Sequence, residues 1–195
     1  MRRYLNMTDL FTICILTLND REQFYTRLRR CLDPQVVGKP VRIITIKDNY
    51  EQTIGAKRNA AVDLVETEYM AFIDDDDVVS MNYVDSILAM LEARPDAVGI
   101  KGQYSEGNYA PVNFINTLGY AWEIKPRRIK GKMTYLRPVN HLNPIKTEIA
   151  RKYPYPEINH AEDMDYANRM AANNAISVCP LIDSILYFYQ YRKNK

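Results

Sequence analysis

The tract Phe72-Ile73-Asp74-Asp75-Asp76-Asp77 constrains this chain more than any other. The apolar run from Tyr69 to Ile73 predicts a buried strand, and it leads directly into four carboxylates. Two like charges about 5 Å apart repel by roughly 1 kcal/mol in water and about 3 kcal/mol at an effective dielectric near 20. The strand must therefore end at a rim where something compensates the charge. A divalent cation is one compensation, and hard carboxylate oxygens suit Mg²⁺ or Mn²⁺. The other reading is an acidic loop feeding the positive N-terminus of the next helix. That reading accounts more readily for one or two acids than for four.

The flanking patterns place this rim. Leu10 to Leu18 is an apolar, β-branched run, expected as a buried strand. Phe24, Leu28 and Leu32 then recur at helical spacing over Arg21 to Leu32, with Pro34, Gly38 and Pro40 expected to break that helix. Val41 to Ile46 predicts a second strand and Thr53 to Val65 a second helix. Ser80 is expected to cap a helix from Met81 to about Ala93, and Ala97 to Lys101 reads as a strand. Strand–helix alternation predicts a mainly parallel sheet flanked by helices, with ligands at the carboxyl ends of the strands. Asn19 and Asp20, Asp48 and Asn49, and Asp74 to Asp77 fall along that one edge. The second half is less regular: Tyr135 to Val139 reads as a strand of a mixed or antiparallel region, Ala161 to Asn173 as a helix, and Ser184 to Tyr191 as a last aromatic strand.

The chain of 195 residues is long enough for one substantial core. A net charge of +2 neither demands nor excludes a polyanionic partner. No apolar run reaches the roughly 20 residues of a membrane span, and the opening residues carry no signal-peptide core. Cys14, Cys31 and Cys179 are odd in number and widely spaced, which fits reduced thiols in a cytoplasmic protein (host cytoplasm, were the source a virus) better than a disulfide framework or zinc site.

Two further motifs carry chemistry. In Ile54-Gly55-Ala56-Lys57-Arg58-Asn59, cations at a helix start oppose the helix dipole, so the pair is either simply exposed or part of a phosphate cradle. In His160-Ala161-Glu162-Asp163-Met164-Asp165, the acids either follow the dipole rule or include a catalytic base. Cations for phosphate beside carboxylates for a metal together describe a nucleotide-diphosphate site.

In order, these motifs resemble family 2 glycosyltransferases of GT-A fold. The residues that carry the resemblance are Ile13 to Asn19, Asp48, Gly55 to Asn59, Phe72 to Asp77 and Glu162-Asp163, within a likeness spanning about residues 10–190. The resemblance implies a single GT-A domain, an α/β mixed and mainly parallel sheet, with a nucleotide-binding half to about residue 101 and an acceptor half beyond. It implies a nucleotide-sugar donor, usually a UDP-sugar, and Mn²⁺ or Mg²⁺. Thr17 and Asn19 would line the base and ribose pocket and Asp48 would meet the base. Lys57 and Arg58, with Asn59, would serve the nucleotide-sugar. Asp74 and Asp75 would face the ribose and metal, and Asp76 would ligate the metal together with Asp74. Asp163, with Glu162 beside it, would be the general base of an inverting displacement.

The match departs from the family where the opening strand lacks its usual proline and where the last strand, Leu186 to Tyr191, carries no histidine. Arg192 or His160 would then help with the diphosphate, and His141, in Asn140-His141-Leu142-Asn143-Pro144, would lie near the acceptor unless that loop is purely structural. The acceptor itself is a glycan or a nucleic acid with modified bases such as viral DNA. The basic tract Ile124 to Lys132 and the aromatic residues Tyr104, Tyr109, Tyr120 and Trp122 serve the second option, or are a solvated loop and core packing. Rival readings are a haloacid-dehalogenase-type phosphatase, from Asp74-x-Asp76-x-Val78, a sugar nucleotidyltransferase lacking its Gly-rich loop, and a non-catalytic nucleotide- or polyanion-binding module.

Overall fold

The computed structural model describes residues 9–191. In chain order the elements are β1 (Phe11–Leu18), a 3₁₀ turn (Asn19–Arg21), α1 (Glu22–Val36), β2 (Val41–Asp48), α2 (Ile54–Leu64), β3 (Tyr69–Asp74), β4 (Val78–Val79), α3 (Tyr83–Leu91) and β5 (Gly99–Glu106). There follow β6 (Val112–Asn116), β7 (Arg127–Ile129), β8 (Lys132–Arg137), β9 (Ile145–Lys146), α4 (Thr147–Ala150), α5 (Glu162–Ala172) and β10 (Leu181–Tyr191). One sheet has the order β2-β1-β3-β9 and the other β4-β10-β5-β6-β8-β7.

β1 is central in the first sheet, pairing in parallel with both β2 and β3. A strand in that position is covered on both faces, which is why its sequence is continuously apolar rather than alternating. Phe11, Ile13 and Ile15 point into a core with Leu28 and Leu32 of α1 and Tyr83 and Ile87 of α3. Cys14 and Leu16 point the other way, into a core with Ala61 and Val62 of α2 and Tyr166 and Met170 of α5. The three cysteines are free.

Parallel pairing dominates only the first sheet. In the second, β10 pairs in parallel with β5 and β6 with β8, while β4 with β10, β5 with β6, and β7 with β8 are antiparallel. β5 and β10 are the longest partners here, and they bring the aromatic C-terminal strand alongside Tyr104.

Three local expectations are corrected. α1 does not stop before Pro34 but runs through it to Val36. Proline has no N–H to give the preceding turn, yet the Gln35 side-chain amide donates to the Cys31 carbonyl (3.0 Å) and across to the Ser80 carbonyl (3.0 Å), which fastens the last turn. Ser80 does not cap α3. Its hydroxyl makes no hydrogen bond among the described residues, its N–H is drawn to the Leu186 carbonyl (2.9 Å), and α3 begins after Asn82. The expected strand over Tyr135 to Val139 lies earlier, as β8, because the segment after Arg137 turns into a buried loop.

Candidate active site

The carboxyl ends of β1 and β3 and the start of α5 open on one cavity of about 1030 Å³, whose opposite wall comes from β5, β6, β8 and β10. Its acidic floor is the tract after β3. Asp75 is buried and accepts from the Thr17 hydroxyl (2.7 Å) and from Arg21 Nε (2.8 Å). Arg21, on the 3₁₀ turn after β1, also lies 3.3 Å from Asp76. Arg27 of α1 donates to the Asp76 carbonyl. Asp74 faces Arg58 at 3.3 Å. Burial opposes the ionised form of Asp74, but Arg58, and after it His141, holds its carboxyl well below the usual carboxylate range. Asp77 points away from the cavity and accepts from the Tyr187 hydroxyl (2.7 Å) and the Gln190 N–H (2.8 Å). Burial, with Asp74 next, pushes Asp77 well above that range. The tract is thus divided: Asp77 is a strut to β10, while Asp74, Asp75 and Asp76 line the cavity.

Arginine supplies the compensating charge. Arg58 is buried, and Asp74 and Glu162 keep it charged against the cost of burial. It reaches Glu162 at 3.2 Å and lies over the rings of Phe72 (4.9 Å) and Tyr155 (5.8 Å). Cations beside aromatic faces gain roughly 0.5–2 kcal/mol, more when desolvated. Arg58 therefore ties α2, β3 and α5 together. Among the described residues no three Asp, Glu, His or Cys side chains are gathered to hold a metal ion. As arranged, Arg21 answers Asp75 and Asp76, and Arg58 answers Asp74.

The start of α2 is not a free phosphate cradle. Its first amides are all engaged: Ile54 N–H donates to Asn159 Oδ1 (3.0 Å), Gly55 N–H to the Ile158 carbonyl (3.1 Å), Ala56 N–H to the capping Thr53 hydroxyl (3.1 Å), and Lys57 N–H to the Thr53 carbonyl (3.1 Å). An amide already bonded offers no anion site. Gly55 is glycine for a different reason, since an added Cβ would lie 1.8 Å from the Pro156 carbonyl oxygen. Lys57 is buried and turns to Asp48 (2.8 Å), which also accepts from the Gln52 N–H (3.0 Å). Burial works against ionised Asp48, but Lys57 and the Gln52 amide win and hold it low. Asn59 spends both ends of its amide on the Tyr155 backbone (2.9 and 2.8 Å), so it clamps the segment before α5 rather than facing the cavity.

Asp163 opens α5 behind Ala161, whose φ of 64° lies in the left-handed region, at a cost of about 1 kcal/mol. One Asp163 oxygen accepts from the Met164 N–H (2.8 Å) and the other faces His141 Nδ1 at 3.5 Å. Its side chain is 24% exposed against 7% for Glu162, so of the two acids only Asp163 offers a carboxylate to an incoming group. The His141 ring lies between Asp163 and Asp74, 3.7 Å from the latter, and neither ring nitrogen has a hydrogen-bond partner among the described residues. The loop that holds it is fully knitted. Asn143 donates to the carbonyls of Val98 (2.8 Å) and Asn116 (3.0 Å), and the His141 carbonyl accepts from Phe72 N–H (2.8 Å). The loop is therefore structural, and it also places His141 on the cavity.

Of the remaining predicted residues, His160 sits exposed at the cavity edge, Asn19 is exposed and does not line it, and Arg192 lies outside the described residues. Sequence reasoning missed Arg21, Tyr50, Arg137 and Tyr189, all of which line the cavity. Arg21 carried a readable signal, being the first cation after the opening strand. Of the four aromatics, Tyr104 lines the cavity and Trp122 stacks under Arg137, whereas Tyr109 and Tyr120 line no part of it.

This two-sheet arrangement, with a parallel β2-β1-β3 core and its site at the strand ends, is the GT-A fold. Among solved structures, residues 1–349 of S. aureus TarS superpose with a TM-score of 0.63 at 17% identity, covering 93% of this chain and 60% of that one. The same fragment in complex with UDP-GlcNAc gives 0.60 at 14% identity, covering 95% and 60%, and in complex with UDP 0.58 at 15%, covering 93% and 60%. This chain thus spans about 60% of the length of that fragment. No curated protein matches the sequence. The model of glycosyl transferase family 2 matches residues 12–151, and the chain belongs to that family. Membership sets aside the phosphatase and nucleotidyltransferase readings. Among the described residues no helix is long and apolar enough to cross a membrane.

Proposed function

We propose that this chain is a glycosyltransferase that takes a sugar from a nucleotide-sugar, a UDP-sugar being the first to try, and inverts the linkage. The observation that carries the reading is the placing of Asp163, a partly exposed carboxylate, on the same cavity as Asp74 to Asp76, with His141 between them. The donor lies along the ends of β1, β2 and β3. There Tyr50 and Gln52 offer a rim for the base, with the Asp48–Lys57 pair beneath, and Arg21 lies within the cavity where a diphosphate would sit. The acceptor hydroxyl oxygen attacks the anomeric carbon as the bond to the diphosphate breaks, and its proton passes to Asp163. Arg21 supplies positive charge to the departing diphosphate. Glu162 acts through Arg58 and is a positioning residue. Asn59 positions the 155 segment. The halves meeting at this cavity are read as one domain, donor half first.

Asp76 and Asp74 would hold Mn²⁺ or Mg²⁺ once Arg21 releases Asp76, and the ion would supply further positive charge to the diphosphate. The reading is tested by thermal stabilisation with UDP and UDP-GlcNAc, and by slow release of UDP from UDP-GlcNAc in the absence of acceptor. Binding by both wild type and Asp163→Asn, with UDP release only by wild type, supports it. Binding by neither nucleotide sinks it.

A further inference from the structure

The wall facing Asp163 has no role in the donor reading. Tyr104 and Tyr189 are stacked at 5.5 Å with planes 12° apart, and Tyr135 meets Tyr104 edge-on at 6.0 Å. Arg137, on β8, lies over Trp122 at 4.6 Å and Tyr135 at 5.4 Å. Its Nε is buried without a hydrogen-bond partner, and among the described residues its guanidinium makes no ion pair. Every other guanidinium or ammonium deep in this site has a carboxylate within reach: Arg21 has Asp75, Lys57 has Asp48 and Arg58 has Glu162. Burial pushes the Arg137 guanidinium down, and Asp163 acts against that. Burial, followed by the carboxylates of Asp74, Asp77, Asp76 and Asp163, pushes the Tyr189 hydroxyl up, and Arg137, Tyr189 and Asp163 line the same cavity.

Arg137 is half-buried: its Nε is shielded from water with no hydrogen-bond partner among the described residues, which is costly, and aromatic faces flank the guanidinium. An anion brought by a ligand removes that cost through charge-assisted hydrogen bonds. Closely stacked tyrosines leave no gap for a nucleobase to enter between them, but they present a face to the C–H side of a sugar ring. The exposed cations Lys125, Arg127, Arg128, Lys130 and Lys132 lie on and around the edge strand β7, outside the cavity lining. Among the described residues the wall holds one cation without an ion pair, Arg137, which suits one anionic group rather than a polyanion backbone.

We propose that this wall is the acceptor subsite and that it takes a sugar bearing a single phosphate or carboxylate, its ring on Tyr104 and Tyr189 and its anionic group on Arg137. The assignment rests on the glycosyltransferase reading for the word acceptor, but the binding itself is testable alone. Isothermal titration with N-acetylglucosamine 6-phosphate, N-acetylglucosamine and a 12-residue oligothymidylate, each with and without UDP, is the experiment. The phosphorylated sugar should bind wild type at least tenfold more tightly than the neutral one. Arg137→Met should erase that preference while UDP affinity stays within twofold, Arg137→Lys should keep most of it, and Tyr189→Ala should weaken both sugars alike. Equal binding of the two sugars to wild type, or a preference that survives Arg137→Met, overturns the proposal. So does oligothymidylate binding tighter than the sugar phosphate and lost in Arg137→Met. A sugar-phosphate preference without any UDP binding supports the wall and removes the donor reading; UDP binding without the preference does the reverse.

Discussion

Replacing Arg58 by methionine tests whether the site is organised by arginine. The side chain is 4% exposed and stands between Glu162 at 3.2 Å and Asp74 at 3.3 Å. Methionine keeps the aliphatic contact with Phe72 and Tyr155 but leaves two carboxylates facing a group without charge. Removing one partner of a buried pair costs about 3–5 kcal/mol. With a urea dependence of about 2 kcal/mol per molar, the midpoint should fall by roughly 1.5–2.5 M. The pH dependence has a fixed sign. Arg58 holds Asp74 below its ordinary value, so this part of the stability is fully present above the unfolded carboxylate range near 4 and is lost as pH falls through the lower folded value. The gap between wild type and Arg58→Met should therefore be full at pH 7 and shrink below about pH 4. The assay is urea unfolding followed by circular dichroism at pH 7.5 and at pH 3.5, with Arg58→Lys as the variant that keeps charge and loses the fork. A midpoint shift under about 0.3 M at pH 7.5, or one that does not narrow in acid, would refute the reasoning.

Other outcomes follow from the same geometry. Gly55→Ala should cost about 1–3 kcal/mol or more, because its Cβ would meet a backbone oxygen at 1.8 Å that cannot rotate away; a melting temperature within 2 °C of wild type would contradict the close approach. Asp163→Asn should lower transfer or donor hydrolysis about 10²–10⁴-fold while UDP still binds, as measured by UDP release beside calorimetry. UDP at 100 times its dissociation constant should add about 2.7 kcal/mol of stability. If a divalent ion takes Asp76, that gain should need Mn²⁺, vanish in EDTA and vanish in Asp76→Ala, whereas persistence in EDTA assigns the diphosphate to Arg21 alone.

What the sequence makes legible here is decided by how local the cause is. β1 and β3 are readable because a strand buried on both faces must be apolar throughout, and the acidic rim follows because carboxylates cannot continue into that core. The helix beginning at Thr53 is likewise visible, since its pattern is local; that the Thr53 hydroxyl caps it comes from the structure. The functions of the motif residues are another matter. Gly55 and Asn59 sit in a helix start that looks made for phosphate, yet one admits the Pro156 backbone and the other clamps Tyr155, about a hundred residues away. Arg58 counts as a phosphate ligand only until its partners in β3 and α5 are known. The four aspartates alone argue for a metal, because the cation that answers Asp75 arrives on Arg21, 54 residues earlier. A charge read without its partners is assigned to a ligand by default. The same rule, applied once the partners are known, leaves Arg137, among the described residues, as a cavity cation without a carboxylate. The wall around Arg137 is also the part least visible in the sequence, because its residues come together only through the pairing of β5, β6, β8 and β10.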